Sequence, residues 1–192
     1  MRLFIALELP EETRAAVNRD AREIAQRWTS GRLTAPENYH LTLAFLGEVP
    51  ADRLAAVTEA MEACPSPPLA LAVDEPGRFR QRDGDVIWRK IRGGNALASL
   101  QRRLARELER RGFSLEKRPY VPHLTVARKA VFPGDALPGA WEGWESIPFS
   151  AEGMTLFRSI LRPGGPEYVA VRRFSFQPPG DAAANTHEED GT

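Results

Sequence analysis

Two of the three histidines in this 192-residue chain occupy the same local setting. One lies in Asn38-Tyr39-His40-Leu41-Thr42-Leu43-Ala44-Phe45-Leu46-Gly47, the other in Pro122-His123-Leu124-Thr125-Val126-Ala127-Arg128. Side chains two apart on a strand share a face, so each histidine stands beside its threonine while Leu41 and Leu43 turn toward a core. An imidazole carries protons near neutrality and a hydroxyl donates a hydrogen bond. The simplest chemistry for two such pairs is general acid–base catalysis, one ring removing a proton and the other delivering one. With an unperturbed pKa of ~6.5, one neutral and one protonated ring can coexist. The hydroxyls suit a group with several acceptor oxygens. Phosphate is the natural choice, because charge spread over its oxygens in the transition state can be met by fixed donors. A lone strand histidine is more often a packed or surface residue than a catalyst. It is the duplication that makes the signal specific.

The elements that must position these residues also repeat. His123 follows His40 by 83 residues, and the same offset maps Leu3–Leu7 onto Val86–Lys90 and Glu11–Trp28 onto Gly94–Arg111. Strand, helix and His-x-Thr strand therefore occur twice in register, the mark of an internal repeat. Two copies about a pseudo-two-fold axis would bring both histidines to one cleft, with acid and base on opposite sides of a phosphorus, as in-line displacement requires.

In chain order, residues 2–8 form a first strand that stops at Pro10, and Glu11–Trp28 is an amphipathic helix with acids in its first turn. After the first His-x-Thr strand, Pro50–Ala63 is a helix with Leu54, Val57 and Met61 at helical spacing, ended by Pro65, Pro67 and Pro68. Leu69–Val73 is a strand, Arg78–Asp85 a basic loop, and Val86–Ile91 another strand. Leu97, Leu100, Leu104 and Leu108 line one face of a helix over Asn95–Arg111, with Gly112 at its C-terminal cap. Beyond the second His-x-Thr strand, Val131–Gly143 is expected to be loop, and Ile147–Phe157 and Glu167–Phe176 two closing strands.

Composition narrows the class. The chain is 42% hydrophobic and 27% charged, ordinary for a soluble globular protein. No apolar run approaches the ~20 residues that cross a bilayer. The single cysteine, Cys64, forms no internal disulfide and fits a reducing cytoplasm; it is expected to be a buried filler. The net charge is zero. However, the tail from Gln177 holds Asp181, Glu188, Glu189 and Asp190 and no Lys or Arg, which leaves 22 acidic against 26 basic residues in the body. A mildly basic body suits a small polyanion or an RNA end. The expected organisation is one bilobal domain over residues 1–176 and a disordered acidic tail over 177–192, with His187 inert in the tail.

These motifs resemble the 2H phosphoesterase superfamily, and within it the RNA 2',3'-cyclic phosphodiesterases, also called 2'-5' RNA ligases. The resemblance rests on His40-Leu41-Thr42-Leu43 with Phe45-Leu46-Gly47, on Pro122–Arg128, on Arg2-Leu3-Phe4-Ile5-Ala6, and on Ser159-Ile160-Leu161 through Gly165-Pro166-Glu167-Tyr168. It covers residues 1 to about 176; Ala44 departs from the longer, polar residue that relatives often carry. The resemblance implies a bilobal α+β fold, two antiparallel sheets facing a central cleft with helices outside. It implies hydrolysis of RNA 2',3'-cyclic phosphate ends to 2'-phosphomonoesters, and in reverse a 2'-5' linkage. His40 would be the acid protonating the departing 3'-oxygen, His123 the base activating water, and Thr42 and Thr125 the holders of the phosphate oxygens. No metal and no cofactor are called for. The partners would be RNA ends or oligonucleotides, with no membrane association, and the chain would be a monomer.

Other residues divide between two readings. Arg128 lies an odd five positions from His123, so it reaches the phosphate only through a bulge or a strand end; otherwise it is a solvated or structural cation. Arg78, Arg80, Arg82 and Arg89 would hold RNA phosphates or be solvated. Tyr39, Tyr120, Phe45 and Trp88 are candidates to stack on a base, with core packing favoured for Phe45 and Trp88. Three alternatives remain: a cyclic phosphodiesterase acting on a small nucleotide, a non-catalytic nucleotide-binding module, and a histidine metal site, which lacks partners at ligand spacing.

Overall fold

The computed structural model describes residues 1–133, 144–163 and 165–177. The tail from 178 onward, with His187, and residues 134–143 of the segment expected to be loop lie outside the described residues.

The first half runs β1 (Arg2–Glu8), α1 (Glu11–Ala25), β2 (Ser30–Leu33), β3 (His40–Glu48), α2 (Leu54–Glu62) and β4 (Leu69–Phe79). The second runs β5 (Asp85–Arg92), α3 (Gly94–Arg110), β6 (His123–Val131), β7 (Ile147–Ala151), β8 (Gly153–Arg162) and β9 (Gly165–Ser175). All strand pairings are antiparallel. They build a four-stranded sheet in the order β3-β1-β8-β9 and a five-stranded sheet in the order β2-β6-β5-β4-β7, a two-lobed α+β arrangement.

The halves are interwoven. After α2 the first half sends β4 across to pair with β5, and the second half returns β8 to pair with β1. Helices cross too: α1 lies against β2, β6 and β7, and α3 against β3. One buried cluster therefore draws on both halves, with Leu7, Val17, Leu41 and Val57 from the first and Leu97, Leu104, Leu124 and Leu156 from the second. In α3 the four leucines at helical spacing are all buried. Gly112, with φ +80°, closes that helix, its N–H and that of Phe113 donating to the Glu109 and Leu108 carbonyls in the left-handed conformation glycine adopts without cost.

Several expectations are corrected. Helix α1 stops at Ala25, three residues short of Trp28, because the chain turns to form β2, a strand the sequence did not announce. The segment Ile147–Phe157 is two strands in different sheets, β7 beside β4 and β8 between β1 and β9. The crossing is at Glu152, next to Gly153, where a Cβ would lie 2.4 Å from the Phe174 carbonyl oxygen. Strand β4 runs on to Phe79, so Arg78 belongs to the strand, and the loop begins at Arg80. Finally, Ile5 faces Ala44 as Ile87 faces Ala127. Strands β1 and β5 are thus related by 82 residues, not the 83 that relates β3 to β6.

Candidate active site

Strands β3 and β6 share more than their first residues. In both, positions one and three are partly buried, positions two, four and five are buried, and position six is exposed. Two consecutive buried residues break strict alternation, and the ladders show why. Ala6 faces Thr42 but Ile5 faces Ala44, which leaves Leu43 as an extra residue. Trp88 faces Thr125 but Ile87 faces Ala127, which leaves Val126 extra. Each is a β-bulge, and a bulge turns the side chain that follows it to the other face. Arg128, on the wrong parity for a regular strand, is thereby brought to the cleft.

His40, Thr42, His123, Thr125 and Arg128 line one cavity of about 460 Å³. Its remaining walls come from Arg32–Ala35, Glu37 and Asn38, at the end of β2 and in a short 3-10 turn, and from Gly165–Tyr168 at the start of β9. The Asn38 amide donates to the Pro166 carbonyl at 2.9 Å and ties these two walls together. Tyr120 fastens β3 to the approach of β6, its hydroxyl donating to the Thr42 carbonyl at 3.0 Å.

Both imidazoles are oriented by the same device. His40 Nδ1 lies 2.7 Å from the Asn38 carbonyl and His123 Nδ1 lies 2.7 Å from the Val121 carbonyl, each two residues upstream. A carbonyl only accepts, so Nδ1 carries the hydrogen and Nε2 is left to take or give a proton. The surroundings differ. His40 packs against Phe4 (4.8 Å between ring centroids), meets Tyr168 edge-on (5.1 Å), and has Phe157 at 6.4 Å. Burial pushes its pKa down to about 4, with Arg128 and His123 adding to the effect and the Asn38 carbonyl opposing it. His123 has Phe79 edge-on at 5.1 Å and Trp88 at 6.1 Å. Trp88 lies flat over Gly77, where a Cβ would come within 2.3 Å of the indole.

Other expected residues are not at the cavity. Tyr39 points to the opposite face from His40 and is 2% exposed, so it cannot stack on a base; burial raises its hydroxyl to about 12. Tyr120 is held under Thr42, and burial raises its pKa as well. Arg89 is buried, bonded to Asp20 at 2.5 Å and to the carbonyls of Asp74 and Glu145, and is a structural cation unavailable to RNA. Arg78 pairs with Asp85 at 3.0 Å. Arg80 and Arg82 are exposed around the β4–β5 turn and do not line the cavity. Phe45 is 47% exposed, not a core residue, while Cys64 is buried as expected. Sequence reasoning missed Arg32, Asn38 and Tyr168 as cavity residues; for Tyr168 the only signal was the resemblance of the Gly165–Tyr168 stretch. Among the described residues, no three His, Cys, Asp or Glu side chains come together to hold a metal, and no helix is long and apolar enough to cross a membrane.

Comparison with known proteins bears on this geometry. A family model described as the 2'-5' RNA ligase superfamily matches residues 9–160. An RNA 2',3'-cyclic phosphodiesterase of Geobacillus stearothermophilus is 34% identical over 179 residues, 89% of this chain, although the chain spans only 56% of that relative's length. One of Escherichia coli K12 is 31% identical over 181 residues, covering 91% of this chain and 96% of the relative. Among solved structures, TT0787 of Thermus thermophilus superposes with a TM-score of 0.79 at 27% identity, covering 94% of this chain and all of that one. Escherichia coli LigT complexed with 3'-AMP superposes with a TM-score of 0.75 at 28% identity, over 91% and 97% of the two chains.

Proposed function

This chain belongs to the 2'-5' RNA ligase superfamily, and from that premise we propose that it hydrolyses RNA 2',3'-cyclic phosphate ends to 2'-phosphomonoesters by two-histidine acid–base catalysis. The observation that carries this reading is the matched presentation of two Nε2 atoms, each backed by a carbonyl on Nδ1 and flanked by a threonine, at one cavity. His123 Nε2 accepts a proton from water as the water oxygen bonds to phosphorus. The bond from phosphorus to the 3'-oxygen breaks on the opposite side, and His40 Nε2–H gives that oxygen its proton. Thr42 and Thr125 donate to the phosphate oxygens, and Arg128 supplies a fixed cation where charge accumulates. An RNA 5'-hydroxyl in place of water, giving its proton to His123 as the 3'-oxygen takes one from His40, joins a 2'-5' linkage.

His40 must be protonated to act as the acid, yet in the free protein its pKa is pushed down to about 4. One of the causes is the Arg128 guanidinium, and an anionic phosphodiester bound beside it offsets that effect. Binding of the anion therefore favours the protonated, acid form of His40. We read residues 1–176 as a single bilobal domain, since each sheet takes strands from both halves, acting as a monomer in the cytoplasm.

The test is product analysis of a short RNA ending in a 2',3'-cyclic phosphate, run in excess EDTA. The expected product is the 2'-phosphomonoester, formed at an undiminished rate. Turnover that vanishes in EDTA and returns only with a divalent ion would overturn the two-histidine mechanism, as would a 3'-phosphomonoester product.

A further inference from the structure

The bulges in β3 and β6 bring one further side chain of each strand to the cleft side, and the two are unlike. In β6 it is Arg128; at the matching sixth position of β3 it is Phe45. Arg128 lines the cavity and Phe45 does not. Phe45 stands 47% exposed with the Arg2 guanidinium 5.0 Å from its ring centroid. The chemistry proposed above uses neither Phe45 nor Arg2. Single exposed apolar side chains are ordinary, but this one has a cation laid on it and sits beside a cavity for an anion. Arg2 also connects it to that cavity. Burial raises the Tyr168 hydroxyl while Arg128 and Arg2 both pull it back down, so both guanidinium groups lie within electrostatic reach of the residue that meets His40 edge-on.

We infer that Phe45 and Arg2 form a second nucleotide subsite just outside the reacting cavity, the ring stacking on the base of the nucleotide that precedes the cyclic phosphate end and the guanidinium facing the phosphodiester that links the two. This rests on the RNA-end reading and narrows its substrate class to oligoribonucleotides of two or more residues. The cavity volume of about 460 Å³ is within the range of a small-ligand site, so a substrate confined to the cavity does not reach Phe45. An aromatic face accepts any base, and the adjacent cation meets the one charge that every linkage carries. The subsite therefore selects chain length and not sequence.

The experiment compares kcat/KM on a dinucleotide ending in a 2',3'-cyclic phosphate with kcat/KM on the matching cyclic mononucleotide. The native protein is expected to favour the dinucleotide. Phe45→Ala should lower that preference about 5- to 150-fold, the worth of one base–aromatic stack, mainly through KM. Phe45→Trp should keep or raise it, and Arg2→Gln should lower it and flatten its salt dependence. Thermal unfolding of each variant verifies that the fold is retained. A preference unchanged in Phe45→Ala, or lost equally in Phe45→Trp, overturns the subsite while the native hydrolysis leaves the functional reading standing. A native protein that opens neither substrate overturns both.

Discussion

Around His40 stand Phe4, Tyr168 and Phe157; around His123 stand Phe79 and Trp88. Beside the first motif the post-bulge residue is a phenylalanine, beside the second an arginine. Underneath, the residue facing Leu41 is the buried Leu7, whereas the residue facing Leu124 is the buried Arg89. The backbone device is the same in the two lobes, down to the carbonyl that fixes each imidazole and the bulge that follows each threonine. Only the side chains packed around it have diverged. A repeat supplies two imidazoles in matched positions. The proposed acid–base catalysis needs them unlike, and the simplest way to make two imidazoles unlike is to change what surrounds them.

The sharpest way to break this comparison is to remove one proton carrier at a time. Replacing either His40 or His123 with Ala should cost roughly 10²–10⁴-fold in turnover on a cyclic phosphate substrate. A nitrophenyl phosphodiester has a leaving group that departs without protonation. His40→Ala should recover much of its rate on it, whereas His123→Ala should stay impaired because water still needs a base. Rescue of His123→Ala instead would reverse the roles, and equal behaviour on both substrates would mean the lobes are functionally alike.

How the lobes are held gives a second contrast. The Arg89 guanidinium meets Asp20, the Asp74 carbonyl and the Glu145 carbonyl, and lies 5.3 Å from the Trp144 ring. Arg89→Leu copies the first lobe but strands these acceptors. Removing one partner of a buried pair costs about 3–5 kcal/mol, and since Asp20 is 31% exposed the lower end is expected. Denaturant unfolding measures it. A loss below about 1 kcal/mol, the size of an ordinary surface substitution or single hydrogen bond, would show that hydrocarbon serves both lobes equally well.

Arg89 also illustrates where the sequence stops being informative. A charge on a strand between Trp88 and Lys90 looks like surface, and nothing local says that Asp20, 69 residues away, awaits it. The His-x-Thr pairs, the offset between them and the leucine stripe of α3 were legible because each is a periodic pattern within one element. Strand β2 was not, because Ser30–Leu33 has no apolar alternation and becomes a strand only by pairing with β6. The division at Glu152 was hidden for a related reason: apolar residues recur on both sides of it, and which sheet each part joins is decided by β4 and β1, far away in the chain. For Arg128, parity alone gave the wrong face and named the remedy, a bulge, whose position at Val126 is visible only in the ladder with β5. Tyr168 entered the cavity through a hairpin that no spacing rule connects to His40.

The smallest expected effect concerns charge on His40, and it probes the contrast most directly. In the folded protein its pKa is pushed down to about 4, first by burial and then by Arg128 and His123, against ~6.5 in an unfolded chain. Between these values the unfolded chain binds more protons than the folded one, so stability declines as pH falls through the window and is undiminished above it. The decline attributable to His40 is at most on the order of 3 kcal/mol, from about 1.36 kcal/mol for each unit of displacement. Arg128→Gln removes the neighbouring guanidinium, so it should raise the His40 pKa and shrink that acid-side slope. Inorganic phosphate added to the native protein should raise the pKa too, as a substrate anion does in the proposed mechanism. Following the imidazole resonances of His40 and His123 by NMR against pH reads both changes. A His40 that titrates near ~6.5 in the native protein, and stays there in Arg128→Gln, would mean that neither its aromatic surroundings nor Arg128 disfavours its charged form. The difference between acid and base would then have to come from the substrate alone.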